Sequence, residues 1–190
     1  MTNDGLLVVI SGAAGTGKGT VVERLAADEG IRVSISATTR SPRGNEQDGR
    51  EYHFLTKERF RELIENDGFL EFAEYVGNFY GSPRRQAEEW MKQGRDVILE
   101  IEVQGCMQVK EKKPDCVSIF ILPPSMEELE RRLRKRGTET EEQIHARLAR
   151  AREELPLAQD YDYRVVNDDL DECVDRIREI IRAEKEKRFN

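Results

Sequence analysis

The stretch Ser11-Gly12-Ala13-Ala14-Gly15-Thr16-Gly17-Lys18-Gly19-Thr20 constrains this chain more than any other. It follows Leu6-Leu7-Val8-Val9-Ile10, an apolar run without alternation, which is the pattern of a strand buried on both faces. It leads into Val21-Val22-Glu23-Arg24-Leu25-Ala26-Ala27, whose apolar residues recur at helical spacing. Strand, glycine turn and helix in that order turn the G-x-x-x-x-G-K pattern into a phosphate-binding loop. Its backbone N–H groups converge at a helix N-terminus, where the helix dipole favours an anion. Lys18 adds a mobile positive charge for the terminal phosphates, so residues Gly12 to Thr20 are expected to cradle a polyphosphate. The competing reading, a glycine-rich turn without a ligand, is weakened by the flanking strand and helix. One position is unusual. A hydroxyl residue that meets magnesium normally follows the lysine; here Gly19 does, and the hydroxyl comes one place later, at Thr20.

Four more short apolar runs, residues 31–36, 96–101, 116–122 and 163–167, read as core strands. Helical patterns separate most of them, which predicts an α/β fold, a parallel sheet with flanking helices. At 190 residues the chain is one domain, with or without lobes. Met107 to Lys112, with Pro114 beyond, fits a short helix and its stop. The closing helix, from Leu170 to about Lys187, places Leu170, Val174, Ile177 and Ile181 on one face. Two stretches interrupt the alternation. Residues 37–93 contain a polar loop, a short strand at 51–54, a helix through Phe60, Leu63 and Ile64, and an alternating run from Phe69 to Val76; they predict a small antiparallel β insertion. Residues 125–155 are helical, with Met126, Leu129 and Leu133 on one face and Ile144, Leu148, Ala151 and Leu155 on another. Gly137-Thr138-Glu139-Thr140 between them reads as a helix stop and a new N-cap. The expected organisation is therefore core with loop (1–36), β-rich lobe (37–93), core (94–124), helical lid (125–155) and core (156–190).

Charge narrows the partners. A net charge of -7 argues against a general nucleic-acid or membrane-surface binder. The basic run Arg131-Arg132-Leu133-Arg134-Lys135-Arg136 is offset by acidic residues in equal number to the cations across 126–154, so most of it reads as a salt-bridged face. Arg132 and Arg136, four apart, flank the apolar stripe of that helix together. Cys106, Cys116 and Cys173 have neither metal-ligand spacing nor an even count, and read as core residues in a reducing compartment. His53 and His145 form no cluster and are expected at the surface. Met1-Thr2-Asn3-Asp4 has no basic region and the apolar run behind it is too short for a leader or a membrane span, so a cytoplasmic location is expected.

The β insertion carries the other chemistry-bearing residues. Arg40 and Arg43 lie three apart in its polar loop. Glu71 shares a strand face with Phe69 and Ala73, and an acid aligned with apolar neighbours needs a partner. Five strings in this order resemble the guanylate kinases: the loop at 12–20, Ser34-Ile35-Ser36-Ala37-Thr38-Thr39-Arg40-Ser41-Pro42-Arg43, Glu51-Tyr52-His53-Phe54, Phe69 to Tyr75 with Gly77-Asn78-Phe79-Tyr80-Gly81-Ser82, and Arg136-Gly137-Thr138-Glu139 with Arg147-Leu148. The likeness covers roughly residues 5–185.

That resemblance implies transfer of the terminal phosphoryl of ATP to GMP, with Mg2+ accompanying ATP. It implies that Arg40 and Arg43 grip the GMP phosphate, that Tyr52 and Tyr80 donate to it, and that Glu71 accepts from guanine N1–H and the 2-amino group. Ser36 and Ser82 match positions beside the base, and Glu100 belongs to the same GMP set. Arg136 and Arg147 match lid arginines that reach the ATP phosphates, so Lys18, Arg40, Arg136 and Arg147 form the implied catalytic group. Asn167 matches the segment near adenine, where Asp168 or Asp169 also reads as an N-cap. Thr20 and Glu102, the latter an Asp in most of the family, are left to hold magnesium through water. The chain departs from the family pattern at Gly19, at Ala13 and Ala14 where Pro and Ser are usual, and at Arg43-Gly44-Asn45-Glu46, where the glycine is shifted. Two other readings stay open at this point: an adenylate-type kinase, suggested by Lys18-Gly19-Thr20, and a guanylate-kinase-like binding module without catalysis.

Overall fold

The computed structural model describes residues 4–137 and 139–189. The N-terminal Met1-Thr2-Asn3 and Thr138 of the expected lid turn lie outside the described residues. The first half of the chain runs β1 (Leu7–Ser11), α1 (Lys18–Leu25), β2 (Ile31–Val33), β3 (Ala37–Thr38), β4 (His53–Phe54), α2 (Lys57–Glu65), β5 (Phe69–Tyr75), β6 (Asn78–Pro83) and α3 (Arg84–Lys92). The second half runs β7 (Asp96–Glu100), α4 (Val103–Lys112), β8 (Val117–Leu122), α5 (Met126–Arg136), α6 (Glu141–Glu154), β9 (Tyr163–Val166) and α7 (Leu170–Phe189).

β1 is the central strand of a parallel five-stranded sheet ordered β2-β7-β1-β8-β9. Its side chains alternate between two apolar layers. Val8 and Ile10 pack with Val21 and Leu25 of α1 and Val174 and Ile177 of α7. Leu7 and Val9 pack on the other face with Ala87 of α3 and Cys106 and Val109 of α4. Helices on both faces explain why the core strands read as continuous apolar runs. All five strands point the same way, so their C-terminal ends gather Ser11, Glu100, Leu122 and Val166 along one edge, where α/β sheets bind ligands.

The expected core strands are present, with one informative change. The run at 31–36 ends as a strand at Val33, although the Ser34 N–H still donates to the Ile98 carbonyl at 2.9 Å. Beyond it the chain leaves for a second sheet, ordered β4-β3-β6-β5, in which Ala37 faces Gly81 of β6. That sheet is not wholly antiparallel as expected: β3 and β4 run parallel. α4 begins at Val103, four residues before the helix expected at 107, because Gln104 and Gly105 continue its first turn. Leu155 opens a 3-10 turn (Leu155–Asp160) instead of ending α6, with Pro156 at its start. His53 is half-buried against expectation, since its strand is paired. The three cysteines are free and buried, as read. Among the described residues no helix is long and apolar enough to cross a membrane.

Asp96 ties the far edge of the sheet together. It is buried, accepts from the Leu6 N–H at 2.9 Å and is paired with Lys185 of α7 at 2.9 Å. Asp96→Ala leaves a buried N–H without its acceptor and is expected to cost about 2–3 kcal/mol in urea unfolding. A loss under about 0.5 kcal/mol, the size of an ordinary surface change, would contradict this role.

Candidate active site

The loop between β1 and α1 is held from below. Thr16 is fully buried and its hydroxyl donates to the Ala13 carbonyl at 2.9 Å, while the Thr16 carbonyl accepts from Asn167 Nδ2 at 2.8 Å. Gly17 has φ 86°, a left-handed conformation, and a Cβ there would lie 2.4 Å from Asn167 Nδ2. No side chain caps α1, whose N-terminus starts at this glycine, so its first N–H groups are left to donate to an anion. Gly12, Ala13, Ala14 and Gly15 form the turn before it, and Gly19 and Thr20 are exposed on the first turn of α1. Gly15, Gly17, Thr20, Arg136 and Asn167 border an open cavity of about 460 Å³, which Arg132 and Lys135 also face.

Lys18 curls back over the loop. Its ammonium donates to the Gly12 carbonyl at 3.4 Å and lies 3.9 Å from Glu102. Two carboxylates flank it. Glu100 ends β7, and its Oε1 would be 3.6 Å from a Cβ at Gly19. The surrounding protein raises the Glu100 pKa, the nearby Lys18 charge opposes that shift, and Glu102 adds to it. Glu102 is the N-cap of α4 and also accepts from Arg150 of α6 at 3.0 Å.

The second lobe gathers a different set. Arg40 makes a two-pronged ion pair with Glu46 at 2.8 and 3.0 Å. This pairing holds the Glu46 carboxyl down at about 2, helped by the Arg43 N–H, and raises the guanidinium further above its already high value. The Arg40 guanidinium stands 5.4 Å from the Tyr52 ring centre, and the Tyr52 and Tyr80 rings are 6.1 Å apart, edge to face. Burial raises the Tyr52 phenol pKa. Arg43 is exposed and its backbone N–H donates to Glu46 at 2.7 Å. Glu71 is 7% exposed, and its Oε1 accepts from the Ser82 hydroxyl at 2.7 Å. Burial raises its pKa and the Ser82 hydrogen bond partly offsets the shift. Ser36 precedes β3 and its carbonyl accepts from the His53 N–H at 2.9 Å.

The structure thus brings Lys18, Glu100 and Glu102 together, and Arg40, Tyr52 and Tyr80 together, with Glu71 beside Ser82. Two expected residues are engaged by protein partners. Arg147 of α6 is paired with Glu139, just before that helix, at 2.9 Å. Asn167 is largely buried, borders the cavity and holds the loop through the Thr16 carbonyl. Motifs do not single out Glu46, which pairs with Arg40, or Arg150, which reaches Glu102 from α6. An acid inside an arginine-bearing loop was a usable signal for the first. Arg150 lies three residues beyond Arg147, but helical spacing alone does not say which core group it meets. Arg132 bonds the Asn167 carbonyl at 2.9 Å, tying α5 to the segment under the loop.

A parallel sheet whose central strand runs into this loop, with a second lobe and a helical hairpin at the same edge, defines a P-loop kinase. The family model described as guanylate kinase matches residues 5–184. A guanylate kinase from Latilactobacillus sakei is 49% identical over 186 residues, covering 97% of this chain and 92% of that one. One from Caldanaerobacter subterraneus is 52% identical over 182 residues, covering 95% and 88%. The crystal structure of guanylate kinase from Anaplasma phagocytophilum superposes with a TM-score of 0.76 at 39% identity, covering 97% of this chain and 88% of that one. The chain belongs to the guanylate kinase family and is an ATP:GMP phosphotransferase.

Proposed function

We propose that ATP is held by Gly12 to Thr20 and GMP by the second lobe, and that transfer occurs between the two clusters described above. The acceptor is a phosphate oxygen that is already anionic, so no general base is required; the obstacle is repulsion between two phosphate groups. Lys18 and the lid arginines Arg136 and Arg147 counter the charge on the transferred group, with Arg147 leaving Glu139 as the lid closes. Arg40 and Arg43 grip the GMP phosphate, and Tyr52 and Tyr80 donate to it. Glu71 takes both guanine donors, with Ser82 fixing its other face and Ser36 and Glu100 bordering the acceptor. Asn167 serves ATP by keeping the loop in shape.

Magnesium arrives with ATP in this reading. Thr20, Glu100 and Glu102 are hard oxygen donors, which suits the ion, and among the described residues no group of three or more His, Cys, Asp or Glu forms a cage. That donor set fits an ion bound mainly by phosphate and water. When bound, magnesium would supply positive charge against the phosphates. Glu102 would hold it through water, and Thr20 lies one helical position further along than the usual hydroxyl. A cytoplasmic location belongs to the same proposal and is supported by three free, buried cysteines.

The observation that carries this reading is a carboxylate 7% exposed in the second lobe, with a single side-chain hydrogen bond from Ser82. The buried position also makes the reading sensitive to pH. Because the Glu71 pKa is raised above 4.5, guanine recognition requires deprotonation at a pH above the ordinary carboxylate range. As pH falls through that raised value, kcat/KM for GMP is expected to drop, and the drop assigned to Glu71 is absent from Glu71→Gln. An identical acid limb in both proteins would contradict the assignment.

Thermal melting with added nucleotides tests the binding scheme directly. GMP at about 100 times its Kd is expected to stabilise the protein by about 2.7 kcal/mol, while AMP at the same concentration does not. Equal shifts with GMP and AMP would overturn the guanine reading. The adenylate-type and non-catalytic readings are not favoured by a family match that spans nearly the whole chain.

A further inference from the structure

Gly105 is a buried residue in the first turn of α4, and its backbone does not have positive φ. Glycine there is unfavourable, because alanine is a better helix former and would bury more apolar surface. The reason for glycine lies across the interface with β5. A Cβ built on Gly105 would stand 2.8 Å from Glu71 Oε2 and 3.2 Å from both Cδ and Cγ of the same residue. The three nearest heavy atoms outside its helix all belong to Glu71.

The strand has no freedom to retreat. Gln108, one turn further along α4, clamps the β5 backbone on both sides of Phe72. The Phe72 N–H donates to Gln108 Oε1 at 3.1 Å, and Gln108 Nε2 donates to the Phe72 carbonyl at 2.9 Å. Lys112 adds a bond to the Phe69 carbonyl at 2.7 Å. Between these fixed points the β5 and β6 register shifts between Phe69 and Glu71, which sets the direction in which the acid leaves the strand. Crowding at Gly105 would therefore be relieved by the free end of Glu71, which would swing off Ser82, and not by backbone movement.

We propose that Gly105 is a positioning residue for acceptor recognition: its missing side chain leaves the space in which the Glu71 carboxylate is aimed at the base. The inference rests on the reading of Glu71 as the guanine-binding group. Helix α4 then serves as a template, with Gln108 fixing the strand and Gly105 fixing the acid. A change at Gly105 harms recognition of GMP and leaves the fold and the ATP side intact.

The test uses the full-length enzyme with Gly105→Ala, Glu71→Gln and the double variant. Gly105→Ala is expected to lower kcat/KM for GMP by about 10²-fold, the size of effect that misplacing a reacting group by about 1 Å produces. The KM for ATP and the melting temperature are expected to hold. In the Glu71→Gln background the same substitution is expected to have no further effect, since the two changes act on one group. Glu71→Asp combined with Gly105→Ala is expected to recover part of the GMP activity, because the shorter acid clears the added methyl. Full GMP activity in Gly105→Ala, with Glu71→Gln impaired, would overturn the role of Gly105 alone. A lowered melting temperature with equal losses toward ATP and GMP would overturn it in favour of a packing role. Full GMP activity in Glu71→Gln would overturn the guanine reading and this inference with it.

Discussion

Lys18→Met is expected to lower kcat by about 10²–10³-fold, the usual cost of removing one preorganised positive donor from a transition state. The melting temperature is expected to stay where it is. Methionine keeps most of the apolar stem and removes only the charge. In the structure that charge makes a long contact of 3.4 Å with the Gly12 carbonyl and an ion pair at 3.9 Å with Glu102, whose side chain is 62% exposed. An ion pair with so exposed a partner contributes at most about 1 kcal/mol to stability. The ammonium therefore contributes little to the fold, as the proposed role at the phosphates requires. In the proposed mechanism it meets the negative charge of the terminal phosphates, where donor and acceptor are both anions. Steady-state rates at saturating ATP and GMP, with a melting curve on the same preparation, check both halves. A stability collapse with little change in kcat would make Lys18 structural.

Glu71→Gln is expected to reduce kcat/KM for GMP by about 10²-fold or more, with the KM for ATP unchanged. A glutamine has one acceptor oxygen and one donor amide, so it meets one guanine donor with a donor of its own. Two charge-assisted hydrogen bonds at about 1.5 kcal/mol each account for the loss. Stability moves the other way. Burial raises the pKa of Glu71 in the folded protein, so the native state binds its proton more tightly than the unfolded chain does. Stability then falls as pH rises from about 4.5 through the raised folded value, and above it the ionised Glu71 is a net burden. Glu71→Gln removes that burden, and its unfolding free energy at neutral pH is expected to equal or exceed that of the parent. Loss of GMP use together with loss of stability would mean that Glu71 holds the lobe together instead of reading the base.

The contrast between these two residues shows what the sequence could reveal. Lys18 is legible because strand, glycine turn and helix occur in local order, and a local motif carries its own geometry. Glu71 is legible as an acid out of place on an apolar face, and the structure buries it as the pattern required. The core strands are legible because both faces of the parallel sheet are covered. What periodicity cannot show is which sheet a strand joins. The run at 31–36 looks like one strand, yet Val33 ends a strand of the parallel sheet and Ala37 begins one in the second sheet. Contacts between distant segments are hidden for the same reason. Nothing near Gly105 in sequence announces Glu71, and nothing near Arg150 announces Glu102. The motif places Asn167 near ATP but does not show its bond to the Thr16 carbonyl beneath the loop, 151 residues away in the chain.

The choice of acceptor is decided by one measurement: kcat/KM for GMP and for AMP, with saturating ATP and magnesium, on the unaltered enzyme and on Glu71→Gln. A site built to hydrogen-bond one partner rejects the analogue that lacks the groups by about 10⁴-fold or more, so the unaltered enzyme is expected to favour GMP by that order. Glu71→Gln is expected to shrink the ratio by about 10²-fold, through loss of GMP turnover. AMP turned over as well as GMP by the unaltered enzyme, or a ratio that Glu71→Gln leaves unchanged, would contradict the assignment of guanine recognition to this buried carboxylate.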